Sequence, residues 1–91
     1  MTKEELNRIA ELINKKFDEE RLYSYASLGW NNDIIFDIDW GDWKHEHLRA
    51  DWLVGEVLST LGHRFSITTN VTEEDGSDTY SAEHIIRFEE A

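Results

Sequence analysis

Ninety-one residues, 40% of them hydrophobic and 12% aromatic, predict one domain spanning residues 1–91 with enough apolar material for a packed core. A formal charge of −11 disfavours contact with polyanions, so neither nucleic acid nor an anionic membrane is an expected partner. The absence of cysteine removes disulfides and thiolate metal sites and fits a reducing, cytoplasmic compartment.

The first segment lacks the apolar run of a signal peptide, and no stretch approaches the roughly 18 apolar residues of a membrane span. Thr2-x-x-Glu5 is a capping-box pattern, in which a hydroxyl and a carboxylate satisfy the free donors of a helix's first turn. Leu6, Ile9, Ala10, Ile13 and Phe17 follow at helical spacing, which predicts an amphipathic helix ending near Glu20. A competing reading carries that helix on to Leu28 with Gly29 as its cap.

From Arg21 to Trp40 the apolar period changes to two. Asn31-Asn32 is a fitting two-residue turn, because Asn tolerates positive φ. It predicts a hairpin pairing Leu28 with Ile35 and Tyr25 with Ile38. Tyr23, Tyr25, Ile34, Phe36, Ile38 and Trp40 then form the core face. Ser24, Ala26, Leu28, Trp30, Ile35, Asp37 and Asp39 form the other.

Asp42 is positioned to cap a second helix beginning at Trp43, with Glu46 in its first turn. Trp43, His47, Ala50, Val54, Val57, Leu58 and Leu61 keep its apolar stripe. Leu48, Trp52 and Leu53 widen that stripe, which predicts a deeply buried helix, and Gly62 suits its C-terminal end. Asp75-Gly76 marks a second hairpin, with Val71 opposite Tyr80, Ile67 opposite His84 and Phe65 opposite Ile86. The order α-β-β-α-β-β predicts an α+β two-layer sandwich: a four-stranded antiparallel sheet with two helices packed on one face.

The charge is unevenly spread. Residues 23–43 hold four acids and no base, and residues 65–91 hold seven acids against Arg87 alone. Most of the negative field therefore belongs to the two hairpins. Asp37, Asp39 and Glu83 are expected on the outer sheet face, while Glu73, Glu74, Asp75 and Asp78 crowd one hairpin tip. With Trp30 as an apolar anchor, these residues form the expected partner-binding set. Such a surface suits a basic protein partner.

Other chemistry is less well supplied. Asp37, Asp39, Asp42 and His45 are the alternative, a divalent-metal site of a metal-binding protein or small hydrolase, since residues two apart on a strand face the same way. His45 and His47 point in different directions on a helix, however, unlike an i, i+4 ligand pair. His47 falls on the apolar stripe and reads as a packing residue. His84 alternates with Ala82 and Ile86 and reads as a core histidine. No nucleophile elbow or glycine-rich phosphate loop occurs.

In size and charge the chain resembles small, cysteine-free acidic α+β proteins of phages and mobile elements, anti-restriction and anti-CRISPR inhibitors among them. That resemblance implies nucleic-acid mimicry, with carboxylates standing in for phosphates. The expectation is thus a non-enzymatic interaction protein without cofactors. A further alternative is a self-associating subunit, a homodimer joined through an exposed edge or the Trp30/Ile35/Ile85 patch.

Overall fold

The computed structural model describes residues 1–39, 43–73 and 80–89. Its elements run α1 (Lys3–Glu19), β1 (Ser27–Leu28), β2 (Ile34–Asp39), α2 (Trp43–Thr60), β3 (Phe65–Glu73) and β4 (Tyr80–Phe88). The α+β two-layer arrangement is the predicted one. The four strands form one antiparallel sheet in the order β1-β2-β4-β3. α2 therefore crosses from β2 to β3 over the strand inserted between them, and β2 and β4 occupy the centre.

Both helices follow from local chemistry. Thr2 caps α1 in an extended conformation, its Oγ1 accepting from the Glu5 amide at 3.2 Å, which satisfies one orphan donor of the first turn. The stripe Leu6, Ile9, Ala10, Ile13 and Phe17 is buried as expected. On α2 the buried set among the described side chains is Ala50, Leu53, Val54 and Leu58. Leu48 and Trp52 were expected to widen it, yet each remains 65% exposed. They lie past the edge of the apolar stripe, on a part of α2 turned away from the core.

The helices end alike. In α1 the amide of Leu22 donates to the Phe17 carbonyl at 2.8 Å and that of Arg21 to Asp18 at 3.1 Å. In α2, His63 donates to Leu58 at 3.0 Å and Gly62 to Ser59 at 3.1 Å. Each pattern is a Schellman motif, which puts one residue in the left-handed region. Gly62 adopts φ +79° and Arg21 φ +57°. The reading that extended α1 to Leu28 is overturned by this early stop.

The first hairpin corrects the predicted register. Ser27 pairs with Ile35 and Leu28 with Ile34, one position away from expectation. Gly29 donates to the Asp33 carbonyl at 2.9 Å, so Trp30, Asn31 and Asn32 form the loop, with Asn32 at φ +57°. A three-residue loop ending in a left-handed residue replaces the two-residue turn. A one-residue slip exchanges faces. Ala26 is consequently buried, Leu28 packs on the core, and Tyr23 and Tyr25 are 97% and 74% exposed.

The chain just before β1 is tied to α1 by a side chain. The Asn14 amide donates to the Ala26 carbonyl at 2.9 Å and accepts from the Ala26 amide at 2.6 Å. A helix side chain thus satisfies the N–H and C=O of Ala26, which point away from β2 and would otherwise stay unpaired at the sheet edge. Ile34, Phe36 and Ile38 on β2 face the core as expected, joined by Ala82 and Ile86 of β4. The expected core position Trp40 lies outside the described residues.

The second hairpin pairs Phe65 with Phe88, Val71 with Ala82 and Glu73 with Tyr80. That register is two positions from the one predicted. An even shift keeps every side chain on its predicted face. The Asp75-Gly76 turn itself falls outside the described residues.

Candidate functional site

Two places concentrate chemistry. The first is the outer sheet face, opposite the helices. Asp37 stands directly across from Glu83, which stands across from Asn70 on the far side of β4. Asp37, Glu83 and Asn70 are all exposed. Directly opposed side chains have their Cβ atoms about 4.5–5.5 Å apart, so two like charges meet there at some cost. Neither carboxylate forms an ion pair among the described residues. Lys16 and Arg49 are engaged on the helical layer, Lys16 with Glu20 and Glu56 and Arg49 with Glu20 and Glu46; Arg49 also donates to the Glu20 carbonyl. Ile35 and Ile85 pair on the same outer face, half-buried beside the carboxylates.

The remaining predicted site residues divide. Asp39 pairs with Ser81 at the end of β2 and Glu73 closes β3, but their side chains lie outside the description, as does that of His45. Asp42, Glu74, Asp75 and Asp78 lie outside the described residues altogether. Trp30 is fully exposed in the β1–β2 loop. It sits at the Ile34/Ile86 end of the sheet, opposite the end where Glu73 pairs with Tyr80. Trp30 and the backbone of Glu73 therefore lie at opposite ends of the sheet.

The second place was not predicted. His84 is fully buried on β4, and its ring stacks on Phe36 at 4.5 Å with an interplanar angle of 10°. Its Nδ1 is 2.7 Å from Asp51 Oδ1, and its Nε2 is 2.9 Å from Nδ1 of His47. An ionised carboxylate only accepts, so Nδ1 of His84 holds the hydrogen and Nε2 of the neutral ring accepts from His47. Thr69 Oγ1 lies farther from Nδ1, at 3.5 Å. Burial holds the pKa of His47 below its usual value, with His84 adding to the effect and Asp51 opposing it.

The core reading of His84 was thus sound, but it missed the partners. His47 and Asp51 are four residues apart on α2, which stacks them on one helix face. That i, i+4 spacing is the signal the sequence offered. The contribution of β4 depends on strand order, which periodicity alone does not give.

The sequence matches no protein-family model and no curated protein. Among solved structures, an oxygen-binding H-NOX domain related to soluble guanylate cyclases is similar, with TM-score 0.58 and 11% identity over 93% of this chain and 47% of that one. A Cs H-NOX variant with an unnatural amino acid gives TM-score 0.59 and 11% identity over 93% and 48%. A structure described as probing haem distortion in the H-NOX family gives TM-score 0.57 and 12% identity over 93% and 47%. This chain spans about half the length of those domains. The likeness is one of fold.

Proposed function

We propose that the chain is a non-enzymatic binding protein that takes a basic protein partner on its outer sheet face. The observation behind this reading is the opposed pair Asp37/Glu83, two exposed carboxylates without a compensating cation among the described residues. Such a pair destabilises the free protein slightly and is relieved by a guanidinium or ammonium placed between the carboxylates. Ile35 and Ile85 supply adjacent apolar contact area. In the sharper form, the carboxylates occupy a groove that otherwise holds nucleic-acid phosphates.

Haem, named for one of the H-NOX structures, does not suit the described residues. A groove of about 550 Å³ between α1 and α2 is lined by Leu12, Lys15, Lys16, Glu19, Glu56 and Leu61 among others and offers no histidine. Haem iron needs an axial ligand such as histidine, cysteine, methionine or tyrosine. His84 does not line this groove and is fully buried.

The test is titration with an arginine-rich peptide at several salt concentrations. Affinity should fall steeply with salt and drop further in the double variant Asp37→Asn/Glu83→Gln. A charge-matched control on α1, Glu4→Gln/Glu11→Gln, should leave it nearly unchanged. If both double variants lose affinity equally, the sheet face is not the site. For mimicry, a duplex oligonucleotide must compete for the captured partner.

A second reading, self-association, rests on β3. This edge strand is uncharged from Phe65 to Thr72, and Val71 is exposed on it. Long, neutral edges invite pairing with another strand. Antiparallel pairing of two copies about Thr69 sets Ile67 opposite Val71 of its counterpart. Light scattering at high concentration checks it, and a monomer there ends this reading.

A further inference from the structure

We propose that His47 and His84 bind a divalent transition-metal ion of the zinc class between Nδ1 of His47 and Nε2 of His84, with Asp51 holding the His84 ring from behind. α2 places His47 and Asp51 one turn apart, and β4 brings His84 to them. The three side chains offer ligand atoms that all lie within 4.8 Å of one another. None of them belongs to the Asp37, Asp39, Asp42 and His45 group, so this is a different site from the one the sequence suggested.

The geometry needs little adjustment. The two facing nitrogens are 2.9 Å apart. Zinc at about 2.0–2.1 Å from each, in tetrahedral geometry, sets them roughly 3.3 Å apart. Opening the pair by a few tenths of an ångström is within reach of His47, which is only half-buried on α2. The bond from His84 Nδ1–H to Asp51 Oδ1, at 2.7 Å, already fixes the tautomer that leaves Nε2 free to donate its lone pair. A carboxylate behind a ligating imidazole also raises its basicity. Phe36, stacked on the ring, prevents it from turning away.

The proton balance is simple. Without metal, the Nδ1 hydrogen of His47 lies between the two rings. The ion takes that place, and His47 changes tautomer, carrying its hydrogen on Nε2, so no net proton is released. Water completes the coordination shell, reached past the half-buried His47 and Asp51. Two imidazole nitrogens select zinc, copper or nickel over magnesium and calcium. The strongly negative chain concentrates cations near its surface.

The test is calorimetric titration of the full chain with zinc sulfate after dialysis against a chelator, with thermal unfolding in parallel. One zinc ion per chain is expected, with a raised Tm, and magnesium should produce neither effect. His47→Gln should abolish saturable binding. Asp51→Asn should weaken it about 10–100-fold, and Asp37→Asn should leave it unchanged. In the unaltered protein, long-range ¹H–¹⁵N spectra should show zinc moving the resonances of His47 Nδ1 and His84 Nε2, a readout independent of how the variants fold. The proposal is overturned if no saturable binding occurs, if His47→Gln binds as well as the parent, or if those two nitrogens stay unmoved.

Discussion

Asp51 Oδ1 lies 2.7 Å from Nδ1 of His84, and this one contact ties the middle of α2 to the central strand pair. His84 is fully buried while the Asp51 side chain keeps some exposure. Truncating Asp51 to alanine strands a buried N–H whose nearest alternative, Thr69 Oγ1 at 3.5 Å, is a poor acceptor. The expected cost is about 1–3 kcal/mol, read from urea unfolding. Replacing His84 by leucine in the Asp51→Ala background should recover part of it, because the orphaned donor then disappears.

The neighbouring ring gives a pH dependence of definite sign. Burial, and then His84, lower the pKa of His47 from 6.5. The unfolded chain therefore binds a proton at a higher pH than the folded one. The stability tied to neutral His47 is complete above pH 6.5 and declines as pH falls from there toward the folded-state value. Below that value the decline from this group ends. Unfolding free energies of the protein and of His47→Gln, compared across this range, should converge as pH falls. Parallel curves would contradict the assignment.

The two helix ends predict the same preference for glycine. Arg21 and Gly62 occupy the same position of the same motif, at φ +57° and +79°. A Cβ is disfavoured in this conformation whatever the space around it. Arg21→Gly should stabilise, or at least cost nothing, despite the added freedom of the unfolded chain. Gly62→Ala should destabilise by about 1 kcal/mol, although the added methyl meets nothing within 4 Å beyond its own chain neighbours. Thermal melts of the two single variants decide this.

Periodicity made most of the fold legible. The stripes of α1 and α2 and the alternation of Ile34, Phe36 and Ile38 are burial patterns, and burial is what periodicity reports. Register is set by turns. Asn32 was read as one half of a two-residue turn and is instead the left-handed end of a three-residue loop, so Tyr23 and Ala26 exchanged faces. Asn14 was invisible as a determinant because it acts 12 residues away, clamping Ala26. The acidic face was legible because strand alternation places Asp37 and Glu83 outward; their direct opposition required knowing that β4 lies beside β2. The His47–Asp51–His84 chain needed that strand order as well.

The opposition of Asp37 and Glu83 separates stability from binding. Glu83 also faces Asn70, so a long cation at position 83 reaches a carboxylate on one side and an amide carbonyl on the other. Glu83→Lys turns a repulsive cross-strand pair into an attractive one. The folded state should gain about 0.2–1 kcal/mol, most at low salt and less as salt screens the pair. A face that had only to be solvated would lose nothing by this exchange. A face used to hold a basic partner loses both a contact and its field, so the same substitution should reduce affinity for an arginine-rich peptide. Chemical denaturation and peptide titration on one sample test both arms. Greater stability with weaker binding is expected; greater stability with unchanged binding would move the partner site off the sheet.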